Sequence, residues 1–493
     1  MKEQSKFSKV LSILLSVVLV ISSFYLLYQV IRLNVLPSKF LFPLTIGVVV
    51  LDAIFILLLV YFSKNVVSKI ICIVLTLFIC VASCMGGYYI SKTQGALSNI
   101  TNVAKHAKNT VSVIVKESSS IKDKSQLNGV SVGSLRLNEQ GSKKALKELS
   151  NEGIVLNQTE YDSMTALLEA FYNGEVDSII INESSRSQIL DMEAYSNFDS
   201  NTRVVYQTSY KVKNNDSATS VSDITSKPFN VLISGSDTRG GFDENGRSDV
   251  IMIATVNPNT HTILLTSVPR DFYVTTACDA GDGCMQGALD KITHTGIHGT
   301  NTTKRTVEQL LGIEINYTFK VGFDTVTELV DVLGGVDVYV EPGYATTTSE
   351  FSVHEGVNHL NAQQALAFAR ERYSYTEGDR QRTKNQQQVL MGIVKEATKP
   401  SVITNYAAIM DTMANTFSTT MSNEEITDLI KYLLNNNPTW KMEQYMVDGT
   451  SDTLMCAELG DAASVMVPDQ STVKMAKDKI NAVLAGKSSE DIK

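Results

Sequence analysis

Four arginines, Arg370, Arg372, Arg380 and Arg382, fall within thirteen residues of the stretch ALAFARERYSYTEGDRQRTKNQQQVL, in a chain of 493 residues with twelve arginines and a formal net charge of -9. Guanidinium forks match phosphate or carboxylate oxygens in pairs, so arginines gathered in an acidic chain point to a strongly anionic ligand. Apolar spacing from Ala362 to Phe368 predicts a helix that delivers Arg370 and Arg372, YTEGD breaks it, and a second helix starts near Asp379. In that helix Asp379, Arg382 and Gln386 stand at i, i+3 and i+7 and share a face, with Asp379 placed to satisfy free amides of the first turn. Spacing alone fits a charged outer face equally well.

Two further stretches carry related residues. FNVLISGSDTRGG reads as a buried strand ending in a glycine-rich turn and RSDVIMIATVNP as the following strand, which sets Asp237 and Asp249 close to Arg239 and Arg247. TILLTSVPRDFYV adds a strand that ends in Pro269, Arg270 and Asp271. Ligands of α/β sheets lie at strand ends, so these groups are expected at one edge of a sheet. The turn lacks the Gly-Lys-Ser/Thr of a P-loop, and SGSDT is not the Gly-x-Ser-x-Gly nucleophile elbow. His294 and His298 are four apart in KITHTGIHGT, but two ligands do not make a zinc site and Gly296 disfavours the helix that would pair them.

The elements that must position these residues follow from periodicity. FDTVTELVDVLGGVDVYV predicts an amphipathic helix with Phe323, Val326, Val330 and Leu333 on one face, stopped at a left-handed Gly334 before another strand. Ahead of this α/β region, the apolar excess of a chain that is 43% hydrophobic sits at the front. Three runs, Phe7 to Ile31, Phe40 to Phe62 and Ile70 to Ile90, are each long enough as a helix to cross a hydrocarbon layer about 30 Å thick. Lys2 and Lys6 ahead of the first run and Lys9 at its start resemble a signal peptide, but the run's length and the two runs after it argue against cleavage. With the N-terminus in the cytoplasm, three crossings place everything after about residue 91 outside. Asp52 within the second run is a costly carboxylate that reads as a helix-packing group, a specific functional group or an incidental residue near a span end.

Beyond the spans, Ser91 to Lys116 is polar with helical spacing and looks like a stalk, and Ser118 to Lys213 has the rhythm of a small α/β unit: a strand in GVSVGSL, a helix stopped by Gly153, and a helix turning at Gly174 into a strand. That unit shows no chemistry and reads as a spacer or interaction domain. KNNDSATSVSDITSKP is a linker, and the closing AGKSSEDIK looks frayed. Cys72, Cys80 and Cys84 fall in the third run as small apolar residues. Cys278 and Cys284 flank a glycine-rich loop outside, where they are either bridged or two free thiols, and Cys456 has no obvious partner.

In chain order, SGSDTRGG, RSDVIM, VPRDFYV, LGGVDVYV and HLNAQQALAFARERYSYTEGDRQRTKNQ resemble the motifs of the LytR-CpsA-Psr proteins of Gram-positive envelopes, over about Phe229 to Ile393. The three spans and extra outer domain are similar to the capsule-associated branch. The resemblance implies an α/β fold with N-terminal transmembrane helices (1–95), a stalk and small α/β accessory domain with linker (96–220), and a layered α/β/α domain with a central mixed sheet (228–480). It implies a multi-pass membrane protein with its large C-terminal region extracellular. Its activity would be that of a phosphotransferase moving a glycopolymer, capsular polysaccharide, from a polyprenyl diphosphate carrier to peptidoglycan. A pyrophosphatase side activity and capsule-synthesis proteins as partners are further expectations.

Carried over by motif, diphosphate contacts fall on Arg270, Arg370, Arg372, Arg382 and Gln386, with Arg247 and Asp379 at nearby positions. Mg2+ falls on Asp237 and Asp249. Asp237, Asp249, Arg270 and Arg372 are the catalytic candidates, one aspartate taking the acceptor's proton. The residue types agree, since Mg2+ takes hard carboxylate oxygens and arginines offset charge growing in phosphoryl transfer. Many family members have Arg-Gln where this chain has Asn385 and Gln386, a departure at one of the phosphate contacts the resemblance implies. The rival expectation is a non-catalytic protein that binds lipid diphosphates or organises capsule assembly. Nucleic acid is excluded as a partner by the acidic balance and by arginines placed outside.

Overall fold

The computed structural model describes residues 6–62, 65–101, 106–136, 139–236, 244–279, 283–399, 402–414 and 417–492. Three helices are long and apolar enough to cross a membrane, Ser8–Leu33, Ser38–Phe62 and Val66–Thr101. Asp52 has its partner in the first of them, where Ser23 Oγ donates to Asp52 Oδ1 at 2.9 Å. The spans form a unit with two helices from much later in the chain, Val402–Met413 and Asn423–Asn436. Lys92 near the end of the third span meets Asp411 at 2.8 Å, and Lys39 at the start of the second donates to Asn435 O at 2.8 Å.

The second unit holds two sheets. The smaller runs in the order Asn157–Tyr161, Ser131–Leu135, Ser178–Asn182, His106–Lys116, Thr202–Lys213. Its predicted helix stops are observed: Gly153 and Gly174 both take a left-handed conformation, with φ of 83° and 81°. The expected stalk is not formed as such. Residues up to Thr101 extend the third span, and His106–Lys116 is an interior strand of the small sheet, because Val111, Val113 and Val115 alternate into its core.

The larger sheet is mixed and six-stranded, in the order Phe417–Thr419, Tyr317–Gly322, Phe229–Ser236, Val250–Asn257, Thr262–Ser267, Lys441–Met446. Phe229–Ser236 is buried along its whole length, as its near-continuous apolar run requires of a central strand covered on both sides. Leu232, Ile251, Ile253 and Leu264 pack against Val307, Leu311, Val473 and Ile480 of the helices Thr300–Leu311 and Gln470–Leu484. The opposite face is covered by Phe323–Leu333, Ala362–Arg370 and Asp379–Ala397. Within the predicted face of the first of these helices, Val330 is fully buried and Val326 and Leu333 pack against the same core, while the Phe323 side chain lies outside the described residues. The linker is held along the sheet edge, with Thr219 N donating to Asn316 O at 2.9 Å and Val221 N to the Tyr317 hydroxyl at 3.1 Å.

The C-terminal residues expected to fray are instead pinned. Ser488 Oγ and Ser489 N each donate to the buried Glu443 carboxylate at 2.8 Å, and Lys441 Nζ lies 2.9 Å from it. Burial alone would raise the Glu443 pKa, but Lys441 and the two serines outweigh it and lower the value from 4.5 to about 2. A carboxyl depressed on folding stabilises fully above its ordinary range and loses that contribution as pH falls through its folded value. Glu443→Gln should therefore cost about 2 kcal/mol at pH 7 in urea titrations, with the gap to the native chain closing between pH 4.5 and 2.

Candidate functional site

Strand register brings the separate motifs to one sheet edge. Gly235 lies opposite Val250 and Met252 opposite Ser267, so the ends of Phe229–Ser236 and Thr262–Ser267 meet the start of Val250–Asn257. Asp249 and Arg270 are neighbours there: Arg270 Nη1 donates to Asp249 Oδ1 at 2.9 Å, and Thr293 Oγ1 approaches the same oxygen at 3.4 Å. Asp271 lies 3.7 Å from Arg270 Nε and accepts from Lys291 Nζ at 3.1 Å. Arg247 Nε is 3.8 Å from Asp249 Oδ1, while its Nη1 pairs with Asp191. Asp237, with Arg239, lies outside the described residues.

The helix Asp379–Ala397 contributes Arg382, which pairs with Asp379 three residues earlier. Burial opposes the charge on Arg270, but Asp249, Asp271 and Asp379 outweigh it and hold the guanidinium protonated more firmly than usual. Arg382 goes the other way: burial, with repulsion from Arg270 and Arg372, overrides Asp379 and lowers its pKa. Asp271, despite burial, is held below the usual carboxylate range by Lys291 and Arg270. These mutual fields, with Arg247 3.8 Å from Asp249, join Arg247, Arg270, Arg372, Arg382, Asp249 and Asp379 in one network. Nε of Arg247, Arg270 and Arg382 is in each case buried with no hydrogen-bond partner among the described residues. Buried donors are normally paired, so three orphans in one network suit a ligand bearing several anionic oxygens.

The other predicted residues are placed differently. Arg372 donates to the Tyr373 hydroxyl at 2.6 Å and lies 4.7 Å above that exposed ring. Arg370 is exposed at the last position of its helix, and its inclusion rests on the motif. Arg380 pairs with Asp448 and does not join the cluster. Gln386 lines a cavity of about 570 Å³ with Ile233, Met252, Val321, Leu366, Ala369, Val389, Leu390 and Ile393. Gly235 lines it too, where a Cβ would come within 2.8 Å of Val250 Cβ. This cavity leaves no distinct mark in the sequence, although Arg382, Gln386, Val389, Leu390 and Ile393 form one helical stripe that changes from charged to apolar.

Two remaining candidates are resolved by their partners. His294 Nδ1 lies 2.7 Å from Asp290 and His298 Nε2 2.9 Å from Glu458, so the two imidazoles turn to different carboxylates. Cys278 and Cys284 form a disulfide. Among the described residues no three His, Cys, Asp or Glu side chains gather as a metal set. Asp249 still fits the lesser demand of Mg2+, which takes one or two carboxylates and completes its shell with water and phosphate, because its described contacts all use Oδ1.

A family model described as the LytR_cpsA_psr family matches residues 194–482, more than half of the chain. The chain belongs to the LytR_cpsA_psr family. Among family relatives, the polyisoprenyl-teichoic acid–peptidoglycan teichoic acid transferase TagU of Bacillus cereus (strain AH820) is 30% identical over 241 residues, covering 48% of this chain and 76% of that protein. TagU of Bacillus subtilis (strain 168) is 34% identical over 203 residues, 41% of this chain and 63% of its own length. The crystal structure of B. subtilis TagU is 28% identical, with a TM-score of 0.41, and covers 52% of this chain and 97% of that one.

Within this family member the departure at Asn385 has a structural use. Asn385 is 1% exposed, and its Nδ2 donates to Phe368 O at 3.1 Å, tying the Asp379–Ala397 helix to the end of the preceding one. Asn385→Ala should cost about 1–3 kcal/mol in chemical denaturation by leaving that carbonyl unpaired. Asn385→Arg should destabilise at least as much, because a guanidinium would be buried there.

Proposed function

We propose that this chain transfers a glycopolymer, capsular polysaccharide, from a polyprenyl diphosphate carrier to peptidoglycan on the outer side of the membrane. The observation that carries the reading is the face of the Asp379–Ala397 helix, which runs from Arg382 in the arginine network to Val389 and Ile393 in the apolar cavity, with Gln386 at the join. An amphipathic ligand with a polyanionic head and a hydrocarbon tail matches that polarity. The names of the B. cereus and B. subtilis relatives, polyisoprenyl-teichoic acid–peptidoglycan transferases, support the same class of donor and acceptor.

Arg270, Arg372 and Arg382 hold the diphosphate oxygens, with Arg370 and Gln386 at its margins, and Asp379 keeps Arg382 in place. The acceptor hydroxyl attacks the phosphorus that carries the glycan. The bond from that phosphorus to the bridging oxygen breaks, polyprenyl monophosphate leaves with the electron pair, and an aspartate, Asp249 or Asp237, takes the hydroxyl proton. Arg270 and Arg382 face the charge that develops on the leaving oxygen. Mg2+, held by Asp249 with Asp237, would add neutralisation of phosphate charge when bound.

Sidedness is supported by two observations. Lys39 at the start of the second span and Lys92 near the end of the third, ends that share a membrane face when three spans alternate, both contact the late helices Val402–Met413 and Asn423–Asn436. The Cys278–Cys284 disulfide belongs in an oxidising compartment.

Arg270→Ala and Arg382→Ala should each weaken polyprenyl diphosphate binding by about 30-fold or more, the effect of removing one partner of a buried charge contact. Val389→Trp should weaken binding of the long-chain lipid and leave that of inorganic diphosphate unchanged. Asp249→Asn should retain lipid binding while wall attachment of polymer falls by about 10²–10⁴ in rate. Normal polymer attachment with Asp249→Asn would instead favour a non-catalytic role in capsule assembly.

A further inference from the structure

The small domain reaches the transfer site. Glu244 and Arg247, three residues apart on the segment leading to Asp249, are each held by side chains of the small α/β domain. The Glu244 carboxylate accepts from Thr110 Oγ1 and lies 3.3 Å from Lys108 Nζ, both on the strand His106–Lys116, while its carbonyl accepts from Lys320 Nζ at 2.7 Å. The Arg247 side chain, 11% exposed, pairs through Nη1 with Asp191, the last residue of the helix Arg186–Asp191. A third attachment fixes the domain from the other side. Met164 and Leu167 share a core with Cys456, Leu459 and Val465, and Met164 N donates to Leu459 O at 2.9 Å. A tethered spacer would have no reason for grips so close to Asp249.

The geometry around Arg247 shows what the grip does. Its guanidinium stands between two carboxylates, paired with Asp191 and 3.8 Å from the Asp249 oxygen that Arg270 already holds at 2.9 Å. Its Nε has no hydrogen-bond partner among the described residues. A buried arginine in that state closes on the nearest carboxylate unless something opposes it, and a two-pronged pair with Asp249 is the geometry within reach. We infer that Asp191 is a positioning residue of the transfer site, through which the small domain keeps Arg247 from closing on Asp249 and so leaves that carboxylate able to serve the acceptor. The inference rests on the transferase reading above.

The full chain in lipid nanodiscs, supplied with lipid-linked polymer and peptidoglycan, tests it. Asp191→Asn should lower kcat by about tenfold or more, in line with the cost of small misplacements in a site, with KM for the lipid-linked donor within about twofold of native. Asp191→Glu should recover most of the loss. Thr110→Val, which loosens the other grip, should lower kcat in the same direction. Native kcat in Asp191→Asn, a loss confined to KM, or a glutamate variant no better than asparagine would each overturn the inference. Arg270→Ala, assayed in parallel for polyprenyl diphosphate binding, separates the two levels. If Arg270→Ala loses binding while Asp191→Asn keeps native kcat, only the positioning role falls; if Arg270→Ala keeps full binding, the transferase reading falls and the inference with it.

Discussion

Guanidinium groups held at one sheet edge repel one another, and the carboxylates that compensate fix the rest of the site. Like charges a few ångströms apart cost on the order of a few kcal/mol in protein surroundings, so the arrangement needs an anion for each cation. Asp249 serves Arg270, and Asp379 serves Arg382. The second pairing is also favoured by position, because Asp379 occupies the first turn of its helix, where exposed amides and the helix dipole welcome a negative charge. Compensation is uneven. Arg270 is held charged by three carboxylates, whereas Arg382, beside two other arginines, has its protonation disfavoured. An added anion would therefore be most favourable next to Arg382, and that is the end of the helical stripe that leads into the apolar cavity.

That helix turns a linear pattern into an axis. Arg382 and Ile393 are eleven residues apart, about 16 Å at helical rise, and Gln386, Val389 and Leu390 lie between them on one side. A head group and the first part of an extended hydrocarbon chain cover such a span. The cavity wall opposite comes from Ile233, Met252 and Val321 of the sheet, so the cavity and Asp249 are positioned by the same strands.

Much of this was legible in the sequence, for reasons that differ by element. The spans were readable because their apolar runs exceed what a soluble core helix needs, and Gly153, Gly174 and Gly334 marked helix ends because only a left-handed stop explains a glycine there. Arg270 and Asp249 could be set at one edge because strands ending in charged turns must bring those turns together. The cavity was not legible, since a stripe of Val, Leu and Ile looks the same whether it meets side chains or empty space. In His106–Lys116 the interleaved Asn109, Thr110 and Ser112 mask the inward-facing Val111, Val113 and Val115, so the strand does not stand out in the sequence. Contacts between distant segments, such as Asp191 with Arg247 or Glu443 with Ser489, leave no local pattern at all.

The run TKNQQQ is the clearest case of a pattern whose meaning depends on tertiary structure. Read alone it fits a charged outer face, yet Thr383, Asn385 and Gln387 are buried. Their amides and hydroxyl are satisfied by backbone: Thr383 Oγ1 by Asp379 O at 3.0 Å, Asn385 by Phe368 O at 3.1 Å, Gln387 by Tyr445 O at 2.9 Å. A buried amide that is fully paired specifies one docking geometry, whereas an apolar side chain of similar volume tolerates sliding. The helix that carries Arg382 is thus locked to the preceding helix through Asn385 and to the sheet through Gln387. Its charged stripe can hold a polyanion in one place because its other faces spend their polarity on the fold.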